Sequence, residues 1–153
     1  MYNINEFLQQ AVADRLIEEQ QLTEQIKAEM FVGSALYTLF PNQVASFDAE
    51  FVETAQEVFN AITSISNGEL IFSHIEEKQL EQDYQITFNI NGDTQKITGD
   101  HIITAYCMIP QRVKQYLSET ASEKQLFIDN YTDEETTFLY LPKALVELAD
   151  KHQ

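Results

Sequence analysis

Positive charge is what this chain has least of. Nine lysines and arginines stand against 25 aspartates and glutamates, a formal net charge of −16. Such a field repels the phosphates of nucleic acid and of anionic membrane, so neither is expected as a ligand, and it attracts basic protein. It also keeps a protein soluble. Cysteine is nearly absent as well. Cys107 is the only one, which excludes an internal disulfide and a thiolate metal cluster. Set in the apolar run IITAYCMI, it reads as a small hydrophobe. No apolar run approaches the roughly 20 residues of a membrane helix. The opening MYNINEFLQQ has neither the basic nor the apolar region of a secretory signal. A cytoplasmic, bacterial-type protein is the expectation.

What is present is enough for a core. At 153 residues the chain suits one domain, residues 1–153, which at this size buries about 70% of its unfolded surface without a disulfide or metal. Hydrophobic residues make up 44%, with ten Phe and seven Tyr among them, so disorder is not expected. The charge is unevenly spread. From Ala28 to Glu77 there is no Lys or Arg, whereas Glu29, Asp48, Glu50, Glu53, Glu57, Glu69, Glu76 and Glu77 all fall there.

Periodicity then orders the chain. Asn3 and Glu6 can form a capping box, and Ile4, Leu8, Val12 and Leu16 recur at helical spacing. A second helix is read over 22–39, up to Pro41, although Phe, Val, Tyr and Thr leave a strand open at 30–39. A third helix is read from a cap at Asp48 to the stop Asn67-Gly68. Its apolar face comprises Phe51, Ala55, Val58, Phe59, Ile62 and Ile65, and Glu50, Glu53 and Glu57 form a solvent stripe. From Glu69 the period drops towards 2. ELIFSHIE reads as a strand, and YQITFNI alternates cleanly. Asn91-Gly92 is a hairpin turn, with DTQKIT returning. A helix follows, starting between Asp100 and Pro110 and ending near Ser118. Pro110 favours the later start. KQLFIDNY and TTFLYL read as a strand pair, and PKALVELADKH as a closing helix. The expected fold is α+β: helices, then βββ-α-ββ-α around a mainly antiparallel five-stranded sheet.

No catalytic constellation emerges. Asp93 and Asp100 beside the glycines of FNINGDTQKITGD would repel phosphate, and their spacing is not that of a calcium loop. His74, His101 and His152 have no second imidazole or thiol at a metal-ligand spacing, and Ser34 lacks the second glycine of a nucleophile elbow. Asp129, Asp133, Glu134 and Glu135 are four carboxylates within one hairpin, too alike in setting to divide into an acid and a base. The expectation is a binding protein with no catalytic, metal or cofactor residues. Adjacent like charges in one turn repel and give the fold nothing. Asp129, Tyr131, Asp133, Glu134 and Glu135 are therefore the candidate partner-binding residues, with Glu50, Glu53 and Glu57 as the alternative. Tyr131 supplies an aromatic anchor.

Residues 84–150 resemble the immunity proteins of bacterial polymorphic toxin systems. The features that carry this are YQITFNINGDTQKITGD, a helix, KQLFIDNYTDEETTFLYLPKALVELA and the last helix. The resemblance implies direct, stoichiometric inhibition of a cognate toxin. The acidity suits a basic nuclease toxin, whose phosphate-binding groups the carboxylates would occupy. The order helix, βββ, α, ββ, α also resembles class I type III secretion chaperones, which are small, acidic and usually homodimeric and which bind an effector. A nucleic-acid mimic is the third reading of the charge.

Overall fold

The computed structural model describes residues 4–130 and 135–153. Ile4–Ala13 forms helix α1, with Phe7, Leu8 and Ala11 buried. It stops short of Leu16, because Arg15 at φ 60 turns the chain away. The expected helix over 22–39 is broken in two. Thr23 caps a single turn, α2 (Glu24–Lys27), by accepting from the Ile26 N–H, and α3 (Val32–Leu39) follows separately. Ile26 is buried while Met30 is 73% exposed, so the four-residue spacing that linked them does not mark one helical face. For residues 32–39 helix wins over strand.

The largest correction lies at Val44–Asp48, which is a strand, β1, and not the approach to a helix. Asp48 ends that strand and holds the turn beyond it by accepting from the Glu50 N–H. The cap of helix α4 (Ala55–Ile65) is Thr54, six residues later than the Asp48 expected. Its start is a capping box in which Glu57 reaches back to the N–H groups of Glu53 and Thr54 at 2.6 and 2.9 Å. Glu50, Glu53 and Glu57 therefore make no helical stripe. Phe51, expected on the apolar face, is 79% exposed in the turn, while Val58, Phe59, Ile62 and Ile65 are buried as read.

Strands β2 (Phe72–Gln79), β3 (Tyr84–Ile90) and β4 (Asp93–Gly99) form a meander. Asn91 at φ 48 and Gly92 at φ 90 make the two-residue turn between the last two. Helix α5 (Ile102–Glu119) is capped by His101 and contains Pro110 in its interior, against the later start expected. A proline there costs about 3 kcal/mol. Burial of Ala105, Tyr106 and Ile109 ahead of it holds those turns helical. Strands β5 (Lys124–Asn130) and β6 (Glu135–Pro142) and helix α6 (Lys143–His152) complete the chain.

Among the described residues six strands form two three-stranded antiparallel sheets, β1-β6-β5 and β2-β3-β4, in place of the single five-stranded sheet expected. The first sheet is covered on both faces. Phe127, Leu139 and Leu141 pack with Phe7, Leu36, Leu145 and Val146 from α1, α3 and α6. Leu126, Ile128, Phe138 and Tyr140 pack the other way, into a core shared with α4, α5 and the second sheet's Ile86, Phe88, Ile90 and Ile97. Helices α4 and α5 thus fill the space between the two sheets. β6 is central in its sheet and buried from Thr136 to Leu141, which is why it reads as a near-continuous apolar run. Among the described residues no helix is long and apolar enough to cross a membrane.

Candidate partner-binding surface

Three chain directions converge at one end of the first sheet. β5 arrives there, β6 leaves, and β1 ends. Register places Asp48 directly across from Glu135, and Asp129 across from Thr137. Side chains alternate along strands, so Asp48, Glu135 and Asp129 share one face, the face that carries α3. Directly opposed residues bring their Cβ atoms to about 4.5–5.5 Å, where like charges are destabilising. Of the residues singled out from sequence, Asp129 and Glu135 thus belong to this end. Tyr131, Asp133 and Glu134 lie outside the described residues.

Asp48 was missed, because reading it as a helix cap removed it from consideration. The signal was the short alternation of VASFD. Exposed apolar side chains lie close by along the chain: Phe51 in the turn after β1, and Met30 and Phe31 just before α3, at 79%, 73% and 52% exposure. Gly33, the second residue of α3, lies against the Asp129 carboxylate, and the Tyr37 hydroxyl one turn later donates a hydrogen bond to it. The two residues before α3 are thereby held near the acidic strand ends.

The Tyr37–Asp129 bond belongs to a wider pattern. Every tyrosine among the described residues directs its hydroxyl to a carboxylate. Tyr84 and Tyr106 both donate to Oε1 of Glu77, at 2.8 and 2.6 Å, and Tyr116 donates to Asp93 at 2.7 Å. Tyr140 donates to Glu69. The other oxygen of Glu77 accepts from the Ala55 N–H at the start of α4, at 3.0 Å, so one carboxylate ties β2 to β3, α4 and α5. In a chain short of cations, phenols supply the donors that Lys or Arg would ordinarily give. The consequence is a raised phenol pKa. Tyr116 is pushed up to about 12, first by its bond to Asp93 and then by burial. Tyr106 and Tyr140 are raised mainly by burial, with Glu77 and Glu69 adding.

Other groups that could support chemistry are dispersed. His74 sits on a bulge of β2 at φ 52, His101 caps α5, and His152 packs its ring against Phe7. Among the described residues no group of three metal-ligating side chains is assembled. A polar cleft of about 450 Å³ opens at the far end of β5 and β6, bordered by Glu69, Tyr116, Lys124 and Tyr140. The two phenols there are already committed to carboxylates. The chain matches no protein-family profile, no curated protein and no solved structure.

Proposed function

We propose that this protein binds a basic protein partner through the acidic end of the first sheet, in the manner of an immunity protein that neutralises its toxin by direct contact. The observation that supports this is the opposition of Asp48 and Glu135 on neighbouring strands, with Asp129 on the same face. Like charges facing each other in a ladder weaken the fold, and a cationic partner turns that cost into affinity. Exposed Phe51, Phe31 and Met30 supply apolar anchors of the kind that carry binding energy inside a charged rim. A nuclease toxin, whose active site must be basic to hold phosphate, is the partner class that suits a net charge of −16. Secretion chaperones are the second reading. From α4 onward the order is helix, three strands, helix, two strands, helix, the order that resemblance requires.

The test is the salt dependence of binding to the protein's captured partner. Between about 50 and 500 mM salt the Debye length falls from roughly 14 to 4 Å. Association is expected to slow by an order of magnitude or more while dissociation changes little. An association rate indifferent to salt would overturn the electrostatic reading. A toxin gene product as the captured protein supports inhibition, and a secreted effector supports the chaperone reading.

A further inference from the structure

Strand β1 is an edge of its sheet, and an edge strand turns half of its backbone groups away from its neighbour. Which half follows from the far end of β6. There the Lys143 N–H donates to the Glu123 carbonyl, one step past the paired residues Lys124 and Pro142. Bonded pairs in an antiparallel ladder recur at every second residue, so Thr137 and Leu139 direct their backbone groups to β5. Thr136 and Phe138 direct theirs to β1. The Leu126 N–H, which this phase points away from β6, is met by the side chain of Gln125. Register pairs Phe47 with Thr136 and Ala45 with Phe138. Val44, Ser46 and Asp48 are left with their backbone groups facing outward.

This edge is open. The Asp48 carbonyl accepts from the Phe51 N–H. Among the described residues nothing meets the N–H groups of Val44, Ser46 and Asp48, or the carbonyls of Val44 and Ser46. Ser46 is exposed and the rest of β1 is half-buried. The opposite edge of the sheet is closed by side chains. Ser122 bonds both the N–H and the carbonyl of Lys124, and Gln125 takes the next N–H.

We propose that the β1 edge takes an extended segment of the basic partner as a further antiparallel strand, with a lysine or arginine directly across from Asp48. The inference rests on the partner-binding reading of the acidic end. Charge chooses the occupant. Glu135 and Asp48 stand side by side in one row across the sheet, and a cation on the added strand continues that row about 4.8 Å beyond Asp48. The chain around β1 supplies no cation of its own, since no Lys or Arg lies between Ala28 and Glu77. A charge at an edge excludes neutral and like-charged strands, so Asp48 discriminates in favour of a basic one. A second copy is a poor occupant, because two chains of net charge −16 repel each other. The partner residue two positions after the cation falls across from Ser46, on the face of Asp48.

The probe is the peptide acetyl-Arg-Val-Thr-Val-Thr-amide, with acetyl-Glu-Val-Thr-Val-Thr-amide as control. Each is titrated into the full chain at about 50 mM salt, where the Debye length is roughly 14 Å, and amide hydrogen exchange is followed by NMR. In the free protein Ala45 and Phe47 are expected to exchange slowly, and Val44, Ser46 and Asp48 fast. The arginine peptide is expected to slow Ser46 and Asp48 at least about tenfold, and to bind at least about tenfold more tightly than the control. Asp48→Lys reverses the preference. Ser46→Pro removes an outward donor and no bond to β6, so it abolishes the protection of Asp48 in a chain still folded by circular dichroism. Amides that stay fast at roughly 1 mM arginine peptide overturn the proposal, as does an arginine peptide that binds no better than the glutamate one. Protection that rises with protein concentration without peptide assigns the edge to a second copy and overturns it too. The salt test on the captured partner is separate. Salt-dependent association that leaves Ser46 and Asp48 unprotected removes the added strand and keeps the acidic end, whereas salt-indifferent association removes the acidic-end reading itself.

Discussion

Gly33 lies so close under the carboxylate of Asp129 that a Cβ there would displace it from the hydroxyl of Tyr37. Its role is to admit a neighbour, since its own backbone is helical. Gly33→Ala gains about 0.5–1 kcal/mol of helix propensity and loses a hydrogen bond to a charged group worth roughly 1.5–3 kcal/mol. A net destabilisation of about 1 kcal/mol is expected by urea unfolding. In an Asp129→Ala background the same change should be neutral or stabilising, a coupling that a double-mutant cycle reads directly.

Glu77 accepts from three donors on three elements: the Ala55 N–H at the start of α4, Tyr84 of β3 and Tyr106 of α5. Glu77→Ala removes the shared acceptor of all three at once, and leaves the hydroxyl of Tyr106, a residue only 1% exposed, with just the long 3.4 Å bond to the Glu53 carbonyl. A loss of roughly 2–4 kcal/mol is expected in chemical denaturation. Glu77→Gln keeps an acceptor oxygen and should recover part of it.

The pH dependence follows from Tyr116. Its pKa is raised from 10.0 to about 12, so the neutral phenol is favoured in the folded state. That contribution to stability is fully present below pH 10, where both states are protonated. It is lost as pH rises from 10 to about 12, because the unfolded chain ionises first. The thermal midpoint should decline across that window. Tyr116→Phe should lower it at pH 8 and flatten the decline.

The binding surface is separable from the fold. Asp133, Glu134 and Glu135 all changed to Ser are expected to weaken partner binding at least about tenfold, some 1.4 kcal/mol, with a thermal midpoint held or raised, because Glu135→Ser relieves the opposition to Asp48. Glu50, Glu53 and Glu57 all changed to Gln act elsewhere, since Glu57 closes the cap of α4. That triple variant should bind normally and lose only about 0.3–1 kcal/mol of stability, because Glu57→Gln keeps the cap's acceptor oxygen and gives up its charge near the helix N-terminus. Normal binding by the Ser variant beside failed binding by the Gln variant would move the site to the turn after β1. Asp48→Asn extends the comparison, as it removes one charge of the opposed pair while keeping the acceptor for the Glu50 N–H.

What the sequence disclosed was local. The β3–β4 hairpin could be read residue by residue, because alternation in YQITFNI and the Asn-Gly turn lie side by side. The face of α4 was legible from Val58 to Ile65 for the same reason. β1 was not, since five residues that pair with Thr136 and Leu139 carry no local mark of a partner some ninety positions away. Asp48 has the chemistry of a cap, and the Thr54 and Glu57 box that in fact starts α4 lies six residues further on. The acidic hairpin was visible as composition, but the opposition of Asp48 to Glu135 is a fact of register. The tyrosine–carboxylate pairs were equally hidden, Tyr37 and Asp129 being 92 residues apart.

Strand β6 is the middle of its sheet, and its neighbour on one side comes from residues 44–48. During synthesis, therefore, the early third of the chain emerges with its sheet incomplete and its apolar residues waiting. At roughly 5–20 residues per second, β1 spends several seconds outside the ribosome before residues 135–142 arrive to pair with it. Only then can both cores close. The second sheet, a contiguous meander over 72–99, meets no such delay. The nascent chain should thus order the β2-β3-β4 sheet first, and the half-exposed, basic-free stretch around β1 is the part most in need of protection by a chaperone.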